Sequence, residues 1–158
     1  MRETIVFDLD GTLADTAGDL IAAANAAMAA LGHAPALRPG ADDATAFRGG
    51  RAMLELSVAR LGLTDGAALV EAGYPILLEA YGQAIDVHTV LYPGVVEAVT
   101  RLRARGAATS ICTNKPEGLA IDLVDRLGLT PLFDALVGAD TLPVRKPDPA
   151  PYVAAVER

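Results

Sequence analysis

Two aspartates stand two residues apart in Asp8-Leu9-Asp10-Gly11-Thr12, directly after the apolar run Thr4-Ile5-Val6-Phe7. Two ionised carboxylates this close repel. One can be a free nucleophile while its neighbour holds a proton and acts as an acid. A hard, oxygen-liganded cation such as Mg²⁺ would relieve the repulsion and neutralise a phosphate. Further along, Thr113 and Asn114 offer donors to phosphoryl oxygens, and Lys146 offers a cation for charge developing in a transition state. Taken singly these signals are weak. An acidic pair after a strand is ordinarily a solvated turn or a helix cap, and a lysine before a proline is ordinarily a surface loop. An Asp-x-Asp also opens calcium loops, but Thr12-Leu13 does not supply the further oxygen ligands and spaced glycine such a loop needs. The combination of three sequence-distant groups points to phosphate chemistry.

These groups can meet only if strands deliver them to one edge of a sheet. Thr4 to Leu9 reads as a strand whose apolar residues run continuously, as in a parallel strand covered on both faces. Gly11 ends it and frees the backbone. Ala107 to Cys112 and Ala135 to Val137 read as two more strands. A helix opened by Tyr92-Pro93-Gly94 and ended by Gly106 precedes the second strand. A helix over Glu117 to Leu127, stopped by Gly128, separates the second from the third. Strands alternating with helices imply crossovers and a parallel sheet. Ligands then bind beyond the C-terminal ends of the strands. Asp8 and Asp10, Thr113 and Asn114, and Lys146 in the loop Thr141 to Pro149 all fall there.

The block from 16 to 85 shows no strand. It reads as a helix over Ala17 to Leu31 capped by Thr16, with Asp19 completing a short capping box. A loop over 33–43 follows. Next come a helical stretch over Ala44 to Leu61 broken near Gly49-Gly50, and another over Gly66 to Ala84 that Pro75 should kink or divide. The fold class expected is α/β: a Rossmann-like parallel sheet core over 1–15 and 86–158, with an inserted α-helical cap domain over 16–85. Within that insert, Phe47-Arg48-Gly49-Gly50-Arg51 offers Arg48 and Arg51 as clamps for a substrate carboxylate. The plainer reading is a helix break with solvated arginines.

Composition narrows the partners. The 158 residues are 52% hydrophobic but only 4% aromatic, with no Trp, so the core must be built from Ala, Leu, Val and Ile. A net charge of −7 without a run of Lys and Arg argues against nucleic acid. The single cysteine, Cys112, excludes an intramolecular disulfide and reads as a small buried hydrophobe. The N-terminus, with polar Arg2-Glu3-Thr4, lacks a signal-peptide pattern. The longest apolar stretch, Leu20 to Leu31, is too short to span a bilayer. These features predict a cytoplasmic protein with a small-molecule substrate and no membrane or nucleic-acid partner. His33 and His88 read as surface or hinge residues, and Arg101 to Arg105 as charge suited to a helix C-terminus.

Asp8-Leu9-Asp10-Gly11-Thr12-Leu13-Ala14-Asp15-Thr16, Thr113-Asn114-Lys115-Pro116 and Arg145-Lys146-Pro147-Asp148-Pro149 together resemble the first three motifs of the haloacid dehalogenase superfamily, and most closely its phosphoglycolate phosphatases. The resemblance implies that Asp8 attacks phosphorus to form an aspartyl-phosphate. Asp10 would protonate the leaving alcohol and then activate water. It further implies that Thr113, Asn114 and the Gly11 turn hold the phosphoryl group, that Lys146 pairs with Asp8, and that Mg²⁺ sits on Asp8 and Asp10, the latter through its carbonyl. Dehalogenases and phosphonatases of the superfamily lack an acid at the place of Asp10, so its presence favours phosphate-ester cleavage. The best substrate is 2-phosphoglycolate; a sugar-phosphate phosphatase or phosphomutase is the near alternative.

The family also carries a fourth, acidic motif on a strand beside strand one. Only Asp148 to Arg158 follow Lys146 here. The resemblance therefore predicts a C-terminally incomplete core, a piece of a chain of about 210 to 220 residues, or a strand supplied by another chain. It also predicts an apolar edge at Thr4 to Phe7 open to strand exchange or homo-oligomerisation. A catalytically incomplete chain that only binds phosphate or a partner is the reading from another class.

Overall fold

A computed structural model describes residues 3–158; Arg2 of the polar N-terminal lead lies outside the described residues. The chain divides into two compact units, one of Met1–Asp15 with Val90–Arg158, the other of Thr16–Thr89.

The first unit is built on a parallel three-stranded sheet. Strands β1 (Thr4–Phe7), β4 (Ala108–Cys112) and β5 (Ala135–Val137) lie in the order β1-β4-β5. Thr4 pairs with Ala108 and Phe7 with Ile111, while Ser110 pairs with Ala135 and Cys112 with Val137. β4 is central and nearly all buried, and β1 is an edge of this sheet with half-buried residues. Helices α5 (Val95–Ala104), α6 (Glu117–Arg126) and α7 (Ala150–Glu157) accompany the strands. Phe7 and Phe133 meet edge-to-face, 5.9 Å between centroids. At the start of β4, Arg103 pairs with Asp134 and donates to the Thr109 hydroxyl, satisfying polar groups that a buried strand could not leave open. A two-residue antiparallel pair escaped the sequence reading: β2 (Ala14–Asp15) beside β3 (Val90–Leu91). So short a ladder has no period to detect.

The second unit is helical: α1 (Ala17–Ala30), α2 (Asp43–Ala46), α3 (Gly50–Leu61) and α4 (Gly66–Gln83). α1 buries Leu20, Ile21, Ala23, Ala24, Ala27 and Met28, and packs on α3 and α4. Small alanines let the neighbours approach, and each fully buried leucine or methionine adds about 1.5–3 kcal/mol.

Two local expectations are corrected. Of the two effects expected of Pro75, division does not occur: the proline lies inside continuous α4. The lost backbone bond is offset by Val70, Leu77 and Tyr81, buried on either side of it. Thr16 and Asp19 do not form a capping box. Thr16 stands at φ −103°, ψ 0°, outside the extended region from which a hydroxyl caps, and makes no side-chain cap bond. The Asp19 carboxylate instead accepts from the backbone N–H groups of His88 (2.9 Å) and Thr89 (2.8 Å) and from the Thr89 hydroxyl (2.7 Å). Gly18 makes room for this strap, since a Cβ there would lie 2.9 Å from that of His88. Among the described residues no helix is long and apolar enough to cross a membrane.

Candidate active site

The turn after β1 is fixed by its own sequence. The Leu9 carbonyl accepts from the N–H groups of Thr12, Leu13 and Ala14, and Gly11 N–H donates to Ala14 O. Gly11 takes φ +74°, a conformation that a side chain would strain. Leu9 and Leu13 anchor the turn in the core, at 0% and 2% exposure. Asp8 and Asp10, which alternate with Leu9, are left toward water: their side chains are 45% and 15% exposed.

The exits of β4 and β5 stay zipped past the strands. Thr113 N–H donates to Val137 O at 2.9 Å, and Ala139 N–H to Lys115 O at 2.9 Å. The loop after β5 is clasped to the start of α6. Gly138 N–H donates to the Thr141 hydroxyl, which donates to Glu117, and Glu117 N–H donates to Asp140. A Cβ on Gly138 would sit 2.5 Å from the Glu117 Cα, so only glycine fits this close approach. The clasp delivers Lys146 to the strand ends. Its Nζ lies 3.0 Å from Asp8 Oδ1, donates to Cys112 O at 2.8 Å, and stands 5.8 Å from the centre of the Tyr152 ring.

Of the residues expected from sequence, Asp8, Asp10, Gly11, Thr113, Asn114 and Lys146 all lie on the loops leaving the three strands. Asn114 donates its amide N–H to Lys146 O at 3.1 Å, tying two of these loops together. Thr113 is buried, and its hydroxyl accepts from Lys115 N–H. Cys112 is 1% exposed; burial pushes its thiol up, so it is an inert hydrophobe rather than a second nucleophile.

Arg48 and Arg51 belong to the helical unit. Arg48 is exposed. Arg51 pairs with Glu71 and lies 4.6 Å over the Tyr74 ring. That contact holds the arginine above its usual range and the glutamate below its own.

Lys115 is not among the site residues expected from sequence. Its Nζ lies 2.8 Å from Asp10 Oδ1, with the lysine side chain 3% exposed. The available signal was its place beside Thr113-Asn114 in the same loop. Two lysines therefore face two aspartates, Lys146 on Asp8 and Lys115 on Asp10, and each pair joins different loops.

Comparison with known proteins identifies the family. The family model of haloacid dehalogenase-like hydrolases matches residues 3–158. A phosphoglycolate phosphatase of Caulobacter vibrioides is 39% identical over 155 residues, covering 97% of this chain and 64% of that protein. One of Cereibacter sphaeroides is 34% identical over 174 residues, covering 95% of this chain and 68% of its own. A solved structure described as a predicted phosphoglycolate phosphatase from Haemophilus somnus superposes with TM-score 0.77 at 26% identity, over 97% of this chain and 69% of that one. The chain thus spans about two thirds of the length of the curated relatives it matches. The match of the family model to nearly the whole chain decides it: the chain belongs to the haloacid dehalogenase-like hydrolases.

Proposed function

We propose that the protein is a Mg²⁺-dependent phosphomonoester hydrolase acting on a small phosphorylated acid, with 2-phosphoglycolate first among its substrates. The observation that carries this reading is the exposed Asp8 carboxylate held 3.0 Å from Lys146 Nζ at the strand ends, with Asp10 two residues on. The relatives named phosphoglycolate phosphatase support the choice of substrate.

In the proposed reaction an Asp8 oxygen attacks phosphorus. The ester P–O bond breaks, and its electron pair leaves on the alcohol oxygen, which takes a proton from Asp10. Water then attacks the aspartyl-phosphate and gives a proton to Asp10. The bond to Asp8 breaks, orthophosphate departs, and both aspartates are restored. Lys146 offsets the charge gathering on the phosphoryl oxygens. Asn114, whose amide N–H is already given to Lys146 O, serves first to hold that lysine's loop.

The donors at the β1 exit are hard oxygens, which fit Mg²⁺. Asp8 and the carbonyl of Asp10 would hold it. Among the described residues no three His, Cys, Asp or Glu side chains gather; the fourth, acidic motif that the resemblance implies would complete the site. When bound, the ion supplies charge neutralisation on the phosphate.

We assign the helical unit the role of a cap that recognises the substrate. For Arg51 to clamp a carboxylate it must exchange Glu71 for the substrate. Arg48, exposed, faces no such exchange.

The test is phosphate release from 2-phosphoglycolate and a panel of sugar phosphates, with and without Mg²⁺, beside Asp8→Asn. Asp8→Asn should cost at least about 10³-fold. Turnover unchanged by that substitution sinks the aspartyl-phosphate mechanism. Preference for a sugar phosphate replaces the proposed substrate.

A further inference from the structure

We propose that Lys115 is a positioning residue for Asp10: its ammonium fixes one carboxylate oxygen so that the other is presented to the leaving-group oxygen and later to water. The inference rests on the phosphomonoesterase reading above.

Lys115 is held by its backbone at both ends. Its N–H donates to the Thr113 hydroxyl at 3.1 Å, and its carbonyl accepts from Ala139 N–H at 2.9 Å. The exits of β4 and β5 therefore fix where its side chain starts. That side chain then runs buried, at 3% exposure, to place Nζ 2.8 Å from Asp10 Oδ1. Asp10 is constrained from its own side: it bridges to Ala14, and the Gly11 turn follows it.

Burying an ammonium costs several kcal/mol of lost hydration, and an apolar side chain of similar length would fill the space without that cost. A purely structural role is therefore a poor account of a charge here. A substrate-binding role fits no better, because the ammonium is buried against Asp10. What it does supply is orientation. A carboxylate turning about its Cβ–Cγ bond offers either oxygen. A group that must give a proton in one step and take one at the same place in the next gains from having one oxygen pinned. Lys146 and Lys115 then divide the work: the first faces the nucleophile, the second steadies the acid.

The test compares kcat/KM for an alkyl phosphate, 2-phosphoglycolate, with that for p-nitrophenyl phosphate, whose leaving group departs without a proton. kcat/KM covers the steps up to alcohol release and omits hydrolysis of the aspartyl-phosphate. Lys115→Met should lower the alkyl value about 100-fold and the aryl value by less than about fivefold, with KM for the alkyl ester nearly unchanged. Asp10→Asn should show the same selective loss, and the double variant should be no worse than Asp10→Asn alone. Lys115→Arg, which keeps the charge, should recover part of the alkyl activity; it also decides the matter by the same ratio if Lys115→Met does not fold, as judged by its melting curve. Equal losses for both esters, a rise in KM alone, or an unchanged ratio overturns the proposal. Asp8→Asn separates the two layers. Full turnover in Asp8→Asn removes the phosphatase reading and this inference together. An inactive Asp8→Asn beside a Lys115→Met of wild-type ratio removes this inference alone.

Discussion

The two units use the same ion-pair chemistry to opposite ends. In the α/β unit the lysines are more covered than the carboxylate beside them: Lys146 is 13% exposed and Lys115 3%, against 45% for Asp8. In the helical unit the Arg60–Asp42 pair buries its carboxylate, at 3%, and leaves the arginine 36% exposed. Asp42 also accepts from Arg38 N–H, and Arg60 donates to Ala36 O, so this pair pins the 36–42 loop to α3. The difference separates a pair that fastens a loop from a pair that holds a charge beside an accessible carboxylate. Desolvated cations around an accessible carboxylate mark the second kind.

The largest effect that should sharpen this contrast is on turnover. Lys146→Met should lower kcat/KM for 2-phosphoglycolate on the order of 10²–10³-fold, while Arg60→Met leaves kcat/KM within about twofold. Comparable losses in the two would break the distinction. Next in size are the fold's own fasteners. Asp19→Ala strands the N–H groups of His88 and Thr89 and should cost about 3 kcal/mol in a urea titration; an unchanged midpoint would refute the strap. Gly138→Ala forces a methyl onto the Glu117 backbone and should cost about 1–3 kcal/mol. It should also slow turnover by shifting the Lys146 loop, whereas a stability loss alone would free that loop from the clasp.

A pH effect belongs to the helical unit. Arg60, with the Arg38 N–H, lowers Asp42 to about 2. A carboxylate depressed in the folded state stabilises above its unfolded value, and that gain is lost as pH falls through the folded value. Arg60→Met should therefore lower the urea midpoint most near neutrality, and the gap to wild type should close between about pH 4 and 2. A gap that persists below pH 2 would mean that Arg60 acts by packing. The smallest effect is expected at the exposed Arg51–Glu71 pair, where Glu71→Gln should scarcely move the melting temperature.

Much of this site could be read from residue order. Asp8-Leu9-Asp10-Gly11 announces itself because Leu9 must enter the core, the aspartates alternate with it, and Gly11 alone turns easily at positive φ. The strands at 108–112 and 135–137 are legible as short apolar runs between helical patterns. The pairing of Lys115 with Asp10 is not, because it depends on β1 and β4 lying side by side with Thr4 opposite Ala108. The sequence leaves Asp19 between a helix cap and the hinge for a related reason. Local rules hand a first-turn acid to its own helix, and only the fold brings the 88–89 backbone within its reach.

By itself, then, the sequence determined the element types, the Asp8–Gly11 turn and the set of groups able to handle phosphate, since periodicity and glycine placement are local properties of the chain. Tertiary structure alone decided which cation serves which carboxylate: Lys146 for Asp8, Lys115 for Asp10. That assignment follows from strand order and register, which bring distant loops within 3 Å of one another, and neither is a local property of the chain.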